Sequence, residues 1–481
     1  MRGNYPRLAG RSLLVILSFA VIGTLTVSAV SPHFSAFVDL SGTVSTYNTH
    51  GATDTSNPFF QSLGTNGRSC STCHLASDAM GLSSAAVQAS FTSTSGQDPL
   101  FADVDGANCP GAARDDATAH SLLTGHGLIR VALPVLDNAD YMVQTVYDPY
   151  GCADYIDPST NKRTLSEYRR PLPATNLRFL STVMFDGRET IAPLTDADTF
   201  NANLVTDLAH QALDATLGHA QAATSPSSEQ LSSIVDFELG LFSAQGSDTL
   251  AGALDKKKAS GGPAYLAGQE YYPGINDSLG SDPEGFTTSV FTLFEAWADY
   301  KESKKDADAK RQIAAGEQLF NSFPITIKDV AGLNDALNVN AIPGTCTTCH
   351  DTPNLGNHSL PVPLDIGVSH SATYEDDPAI AASLAKLQEA DLPIFKVTCT
   401  GVTPPRIVYT TDLGKALVSG HCTDLIRVKG PILRGLAARA PYFHNGSAAT
   451  LRDVIEFYNE RFELGLSEEQ KDQLEAFLKA L

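Results

Sequence analysis

The sequence predicts a mainly α-helical protein of two similar units joined by long loops. Two pentads of one pattern, CSTCH from Cys70 and CTTCH from Cys346, indicate the two units. Amphipathic stretches that open on capping pairs, Ser227 with Gln230 and Ser467 with Gln470, predict helices. We find no run of alternating apolar and polar residues that would compete with them. Strands are therefore expected to contribute little to the fold.

The N-terminus has the pattern of an export signal. Arg2, Arg7 and Arg11 precede the apolar run from Leu13 to Val30, which ends in small residues. A basic start, an apolar run and a small-residue end are typical of a secretory signal peptide. The run is also long enough for an uncleaved membrane anchor. We therefore expect export, with residues 1–29 either removed or kept as an anchor.

The chain has 481 residues and a formal net charge of −21. This length is enough for two or three domains. An acidic surface repels nucleic acid and attracts protein partners with a basic patch. Solubility alone would also explain the charge. The composition thus excludes a nucleic-acid partner and leaves a basic protein partner open.

The chain has eight cysteines, and four of them belong to the pentads. The other four are Cys109, Cys152, Cys399 and Cys422. In an oxidising compartment such cysteines are usually paired. Two local disulfides, Cys109 with Cys152 and Cys399 with Cys422, are the simplest arrangement, although four cysteines allow three.

The pentads themselves are best explained as haem attachment sites. The first pentad contains Cys70, Cys73 and His74, and the second contains Cys346, Cys349 and His350. Zinc sites built from two CxxC pairs usually bring them within about 15–20 residues, far closer than here. A redox dithiol needs no histidine after its second cysteine. Haem c uses both thiols as thioethers and the histidine as an iron ligand, so we expect two covalent haems.

A charge-dense stretch, Lys301 to Gln312, separates the two haem units and is read as a solvated helix or linker. We therefore expect an N-terminal haem domain over residues 30–303 and a C-terminal one over residues 304–481. The parts rich in Gly, Pro, Ser and Thr, residues 92–118 and 351–406, are expected to be long loops.

A helix near the C-terminus carries a candidate iron ligand. Thr450 and Asp453 are spaced as a capping pair. Apolar and aromatic residues then follow at helical spacing, namely Leu451, Val454, Ile455 and Tyr458. Tyr458 therefore lies on the buried face, where its hydroxyl needs a partner. Taken alone, this pattern is more typical of a core tyrosine hydrogen-bonded to the backbone.

With these motifs the sequence resembles the bacterial dihaem cytochrome c peroxidase and MauG family. The resemblance rests on both pentads in order, MFDGRE at Met184 to Glu189, and APYFHNGSAATL followed by EFYN. It implies two cytochrome c-like haem domains in the periplasm. The peroxidases have a methionine ligand fourteen residues after the histidine of the FHNG motif, and MauG-like members have a tyrosine there. Counted from His444, that position is Tyr458.

The resemblance also implies that the haem at His74 is open and reacts with hydrogen peroxide. Family members use a glutamate ten residues after a glutamine as acid–base group. Here the corresponding positions are Gln211 and Gln221, and Gln221 cannot act as a base. His219, two residues earlier, could do so. His444 of the FHNG motif is counted among the candidate catalytic residues.

Two further positions follow from the resemblance. The family has a tryptophan between the haems, and this chain has Phe185 there, which is hard to oxidise. The family also binds calcium through an asparagine and backbone carbonyls. The corresponding residues are Asn176, Arg439 and Pro441.

These expectations combine into a MauG-like oxidoreductase that uses hydrogen peroxide to oxidise a partner protein. One alternative is a cytochrome c peroxidase that removes peroxide with electrons from a small cytochrome. A rival from another class is a non-catalytic electron carrier with both irons six-coordinate.

Overall fold

The computed structural model describes residues 33–481 except 195, 197, 272–289, 303, 351–352, 354–361, 373–383, 385–386 and 402–404. The expected signal at residues 1–29 lies outside the described residues, as does much of the expected loop at 351–406. No helix in the described ranges is both long and apolar enough to cross a membrane.

Nine α-helices lie in the described residues. They are α1 (Ser84–Thr94), α2 (Ser121–His126), α3 (Phe200–Gly218), α4 (Ser228–Leu239), α5 (Pro263–Ala267), α6 (Lys304–Ser322), α7 (Ala416–Ser419), α8 (Leu451–Arg461) and α9 (Glu468–Lys479). The expected capping pairs of α4, α8 and α9 are confirmed: Ser227 with Gln230, Thr450 with Asp453, and Ser467 with Gln470. Each pair satisfies backbone N–H groups that the first turn leaves free.

The strands form four antiparallel sheets. The strands are β1 (Phe34–Asp39), β2 (Gly42–Asn48), β3 (Ile129–Pro134), β4 (Tyr141–Tyr147), β5 (Asp154–Ile156), β6 (Arg163–Arg169), β7 (Leu241–Asp248), β8 (Gly252–Ala253), β9 (Ile325–Lys328), β10 (Ala341–Gly344), β11 (His370–Ala372), β12 (Ile394–Cys399) and β13 (Arg406–Thr410). The sheets have the orders β1-β2-β7-β8, β3-β6-β5, β9-β10 and β11-β13-β12-β4.

The expectation of a mainly α fold is wrong, because helices take up 33% of the structure and strands 18%. Strand β4 shows why the strands were missed. Tyr141 and Val143 are buried while Met142 and Gln144 are exposed, so burial alternates, but Met142 is apolar and the sequence therefore does not show the pattern. Its partner β12 is remote in sequence, and the two align Val143 with Val397. Short strands that pair over long distances leave little local signal.

The cores surround the two pentads. Phe59 packs beside the first pentad together with Phe237, which belongs to α4. Helices α6, α8 and α9 form a second core that includes Phe477 and reaches Cys346 of the second pentad. The sheet containing β4 and β12 joins strands from both sides of the expected domain boundary. Disulfides link Cys109 to Cys152 and Cys399 to Cys422.

Candidate functional site

The two pentads fold in the same way. Each begins as a short 3-10 helix, Cys70–Thr72 and Cys346–Thr348. In both, the last residue of the helix is a threonine, Thr72 or Thr348. Its hydroxyl accepts a hydrogen bond from the backbone N–H of the residue before the first cysteine, at 3.0 Å. The histidine N–H then bonds to the carbonyl of the first cysteine, at 3.1 Å in one pentad and 3.0 Å in the other. The chain thus presents two thiols and an imidazole in one repeated arrangement.

The four pentad thiols are free and half-buried. Burial raises the pKa of Cys70 to about 12 and that of Cys73 to about 11. The pKa values of Cys346 and Cys349 are raised to about 12 for the same reason. Burial in apolar surroundings thus keeps all four thiols protonated when nothing is bound to them.

His74 is held in a form suited to iron. Its Nδ1 donates to the carbonyl oxygen of Met80 at 3.2 Å, which leaves Nε2 as the nitrogen with a lone pair. Burial lowers the pKa of His74 to about 4, so the imidazole is neutral. A neutral, oriented imidazole is the usual metal ligand.

A charged cluster lies beside the first pentad. Nδ1 of His219, the residue after α3, hydrogen-bonds to the Asp105 carboxylate, and the other oxygen of Asp105 pairs with Arg68. Arg68 and Asp105 are buried, whereas the His219 side chain is 42% exposed. Burial alone would raise the pKa of Asp105, but His219 and Arg68 hold it below its ordinary value. We call these three residues the His219 cluster.

The two glutamines expected near the acid–base position have different surroundings. Gln211 is half-buried on α3. Gln221 is exposed, and its side-chain oxygen accepts from the Asn66 amide at 3.3 Å. The same Asn66 amide donates to the His219 carbonyl at 2.8 Å. His219 and Gln221 therefore both lie against the loop that leads into the first pentad.

A cavity lies at the second pentad. Its empty volume is about 1970 Å³, which includes the solvent space at its opening. Its walls are mostly apolar side chains, and β9, α8 and α9 supply some of them. Seven residues expected at functional sites line it, namely Cys346, Cys349, His350, Tyr458, His444, Arg439 and Pro441. A large apolar cavity with two thiols and an imidazole fits a covalently attached macrocycle.

Tyr458 faces this cavity together with Leu451, Val454 and Ile455 of α8. The predicted buried face of the helix is thus a cavity wall. The Tyr458 ring packs against Phe443, Phe457 and Phe462. Within the described ranges its hydroxyl has no hydrogen-bond partner. Burial raises the pKa of Tyr458, with smaller contributions from Cys349 and Cys346, so the phenol lies within electrostatic range of both thiols.

His444 also lines the cavity. Its Nε2 is buried, has no hydrogen-bond partner in the described part of the chain, and lies 3.8 Å from an oxygen of Asp412. Burial lowers the pKa of His444. Its ring centroid is 6.0 Å from that of Phe185, which occupies the position of the family's tryptophan. The pair therefore forms one wall of the cavity.

The residues expected to bind calcium have other partners. The Asn176 amide oxygen accepts from the N–H of Ser243 at 3.0 Å, and its nitrogen donates to the Ser243 carbonyl at 2.9 Å. The Arg439 carbonyl accepts from the Arg170 guanidinium at 2.8 Å. These contacts use the groups that calcium would need, so the calcium assignment has no support.

Sequence reasoning missed several buried charges around the two sites. Asp105 and Arg68 hold His219, Lys429 lines the cavity, and Glu238 on α4 lies close enough to Cys70 to raise its pKa. None of them belongs to a motif. Only the folded chain brings them to the pentads.

Known proteins match parts of this arrangement. No family model matches the chain. Over 145 residues it is 32% identical to the cytochrome-c peroxidase IdrP2 of Denitromonas iodatirespirans, which covers 29% of this chain and 36% of the relative. Over 154 residues it is 27% identical to the cytochrome-c peroxidase IdrP1 of Pseudomonas sp. (strain SCT), which covers 28% and 36%. These similarities support the dihaem cytochrome c peroxidase/MauG family that the motifs indicate.

The family resemblance read from the motifs is therefore confirmed. The chain spans about a third, 36%, of the length of each of these two peroxidases. A solved structure of a MauG-like protein associated with microbial copper homeostasis is 13% identical, covers 88% of this chain and 87% of its own, and has a TM-score of 0.33. Similarity to cytochrome-c peroxidases implies covalent haem c, which the pentads and the cavity fit.

Proposed function

We propose that this chain is an exported, periplasmic dihaem oxidoreductase that uses hydrogen peroxide to oxidise a partner protein. In this proposal His74 would be the one protein ligand of the iron at the first pentad, so that peroxide could bind there. The haem of the second pentad has His350 and Tyr458 as ligands. Haem c, when bound, supplies the iron chemistry with peroxide. The chain supplies the ligands, the proton-holding groups and a mostly apolar cavity.

The position of the Tyr458 hydroxyl at the cavity is the observation that carries this proposal. It faces the cavity that also contains Cys346, Cys349 and His350. A buried phenol normally has a hydrogen-bond partner, and an iron at this position would replace it. A phenolate favours oxidised iron, whereas the thioether of a methionine favours reduced iron. The second haem would therefore be suited to holding oxidising equivalents rather than to accepting electrons.

The His219 cluster supports an acid–base role at the first pentad. Nδ1 of His219 is occupied by Asp105, so Nε2 is the nitrogen that can take up and release a proton. Asp105 is fixed in turn by Arg68. A histidine oriented by a carboxylate is a common way to position a general base. Neither Gln211 nor Gln221 offers a comparable group.

The partner is proposed to be a protein with a basic patch. The formal net charge of −21 favours such a partner through electrostatic steering. Steering weakens as salt screens the charges. The rate of partner oxidation should therefore fall as ionic strength rises.

A second candidate function is peroxide removal with electrons from a small cytochrome. It is favoured by the names of the two curated relatives, both of which are cytochrome-c peroxidases. The two functions differ in their use of reduced cytochrome. Rapid peroxide-dependent oxidation of a reduced cytochrome would favour detoxification, and slow turnover with it would favour oxidation of a partner protein.

Electron paramagnetic resonance of the oxidised full-length chain tests the proposal. We expect two haems per chain, one giving a high-spin signal and one giving a low-spin signal. Two low-spin signals would mean that both irons are six-coordinate. That result would contradict both enzymatic functions and favour a simple electron carrier.

A further inference from the structure

One wall of the cavity carries three buried cations. Arg170, Lys429 and Arg439 all line it, and their exposed fractions are 8%, 3% and 8%. Hydrogen bonds hold this wall together. The Arg170 N–H donates to the His444 carbonyl at 2.7 Å, and the Lys429 N–H donates to the Phe185 carbonyl at 2.7 Å. We call Arg170, Lys429 and Arg439 the cationic wall.

The two arginines have only carbonyl oxygens as acceptors. Nη2 of Arg170 donates to the carbonyls of Leu82 and Arg439, the latter at 2.8 Å. Arg439 donates to the carbonyls of Ile432 at 2.7 Å and Arg434 at 2.6 Å. In the described ranges no carboxylate lies within 4.0 Å of either guanidinium. Neither guanidinium therefore has a counter-ion in direct contact, and Asp78 influences both only from a distance.

The Lys429 ammonium group has fewer hydrogen-bond partners than the two guanidinium groups. Its ammonium group has no hydrogen bond and no ion pair with any described residue. The acid that influences it is Asp186, whose carboxylate is already paired with Arg169 and Arg188. Burial lowers the pKa of Lys429 to about 7, a sign of how poorly this environment compensates its charge.

Three uncompensated cations in one apolar cavity are costly. A buried charge without a counter-ion is unfavourable even when carbonyl oxygens accept its hydrogen bonds. Asp365 is the acid among the lining residues, and it accepts a hydrogen bond from the N–H of Gly367. An anionic group on the molecule that occupies the cavity would therefore compensate the charges of the cationic wall.

We propose that the cationic wall binds the propionate carboxylates of the haem attached to Cys346 and Cys349. This inference rests on the proposed function in that it requires haem at the second pentad. The thioether bonds tie one edge of the macrocycle to the cysteines, and the propionates extend from the opposite edge. Guanidinium groups bind carboxylates through paired hydrogen bonds, and an ammonium group acts as a point charge. The three cations would thus orient the haem and set its reduction potential.

Lys429→Met tests this inference, because methionine keeps the length of the side chain and removes the charge. Lys328→Met is the matched control. Lys328 follows the cavity residue Ile327, but its ammonium group pairs with Glu463 at the surface, at 3.0 Å. Both variants are prepared as full-length haem-loaded protein. Haem content, the resonance Raman propionate bending modes and the reduction potential of the low-spin haem are then measured.

We expect Lys429→Met to keep two haems per chain, to shift a propionate bending mode and to lower the reduction potential of the low-spin haem. The potential falls because a nearby cation disfavours the oxidised, more positive haem. Lys328→Met should leave the bending modes unchanged and move the potential far less. Loss of the second haem in Lys429→Met but not in Lys429→Arg would also support the inference.

An unchanged mode and potential in Lys429→Met would overturn the inference, and so would loss of the second haem in both Lys429→Met and Lys429→Arg. A potential that depends on added phosphate in the wild type would mean that the cations bind a free anion, which also overturns it. Wild-type protein with fewer than two haems would instead contradict the proposed function. The two failures are therefore distinguishable.

Discussion

The Nδ1 atom of His219 and the carboxylate of Asp105 are hydrogen-bonded although 114 residues separate them in sequence. Asp105 also pairs with Arg68, two residues before the first pentad. The carboxylate thus connects the end of α3 to the attachment site of the first haem. It fixes both the orientation and the tautomer of the imidazole.

His219→Ala should slow the reaction with hydrogen peroxide by about 10²–10⁴-fold, the usual contribution of a general acid–base group. Gln221→Ala is the control, because Gln221 lies against the same loop but is exposed. Stopped-flow mixing of the oxidised protein with peroxide measures both rates. A larger loss in Gln221→Ala than in His219→Ala would assign the proton transfer to the glutamine position.

Tyr458→Phe should abolish the original low-spin signal of the second haem, because phenylalanine cannot bind iron. Tyr442→Phe is the control. Tyr442 lines the same cavity, but its hydroxyl donates to the Leu436 carbonyl at 3.1 Å. Electron paramagnetic resonance of both variants, with haem content measured alongside, decides the role of the tyrosine. An unchanged signal in Tyr458→Phe would mean that Tyr458 is a core residue and not an iron ligand.

The carboxyl of Glu238 should make stability depend on pH. It is buried, Oε2 has no partner in the described residues, and burial raises its pKa from 4.5 to about 8. Below pH 4.5 the group is protonated in both the folded and the unfolded chain, and its stabilising effect is complete. As the pH rises to about 8, only the unfolded chain ionises easily, so the free energy of unfolding falls.

Glu238→Gln should remove this decline, which is at most about 1.4 kcal/mol per pH unit. Glu229→Gln is the control, since Glu229 is exposed on the same helix and its pKa is lowered by hydrogen bonds at the helix start. Urea unfolding of the three proteins across this pH range gives the comparison. Parallel curves for wild type and Glu238→Gln would mean that Glu238 is not protonated in the folded protein.

Arg169 should be essential for stability. Its guanidinium pairs with Glu167, Asp186 and Asp412, and all four groups are buried. Arg169→Met leaves Glu167 and Asp412 without their cation, while Asp186 keeps Arg188. We expect a loss of about 3–5 kcal/mol in the free energy of unfolding. Arg163→Met removes a half-exposed pair with Asp154 and should cost at most about 1 kcal/mol. Denaturant midpoints for the two variants test this difference.

Local features of the site could be predicted from sequence. The pentads, the capping pairs and the face of α8 that carries Tyr458 all depend on residues within a few positions of one another. Helical spacing placed Tyr458 on the same side as Leu451 and Ile455, and the structure has these three side chains on one cavity wall. Periodicity fixes such a face regardless of what packs against it.

The strands and the charged groups depend on distant parts of the chain. Strand β4 pairs with β12, and the contact continues where Thr400 bonds to Asp140, 260 residues away. Lys429 reaches the cavity only because the chain around it packs against Phe185. A lysine or a short alternating run has no local property that reveals such a partner. Only the cofactor's need for buried counter-charges could have pointed to them.

The pairing of β4 with β12 also constrains the order in which the protein matures. Strand β4 can complete its edge only after the chain has been made as far as Cys399. Contacts this distant in sequence form late, because closing the long loop costs entropy before the pairing compensates it. We therefore expect the β4–β12 sheet to form after the first pentad has made its local contacts with Phe59 and Phe237.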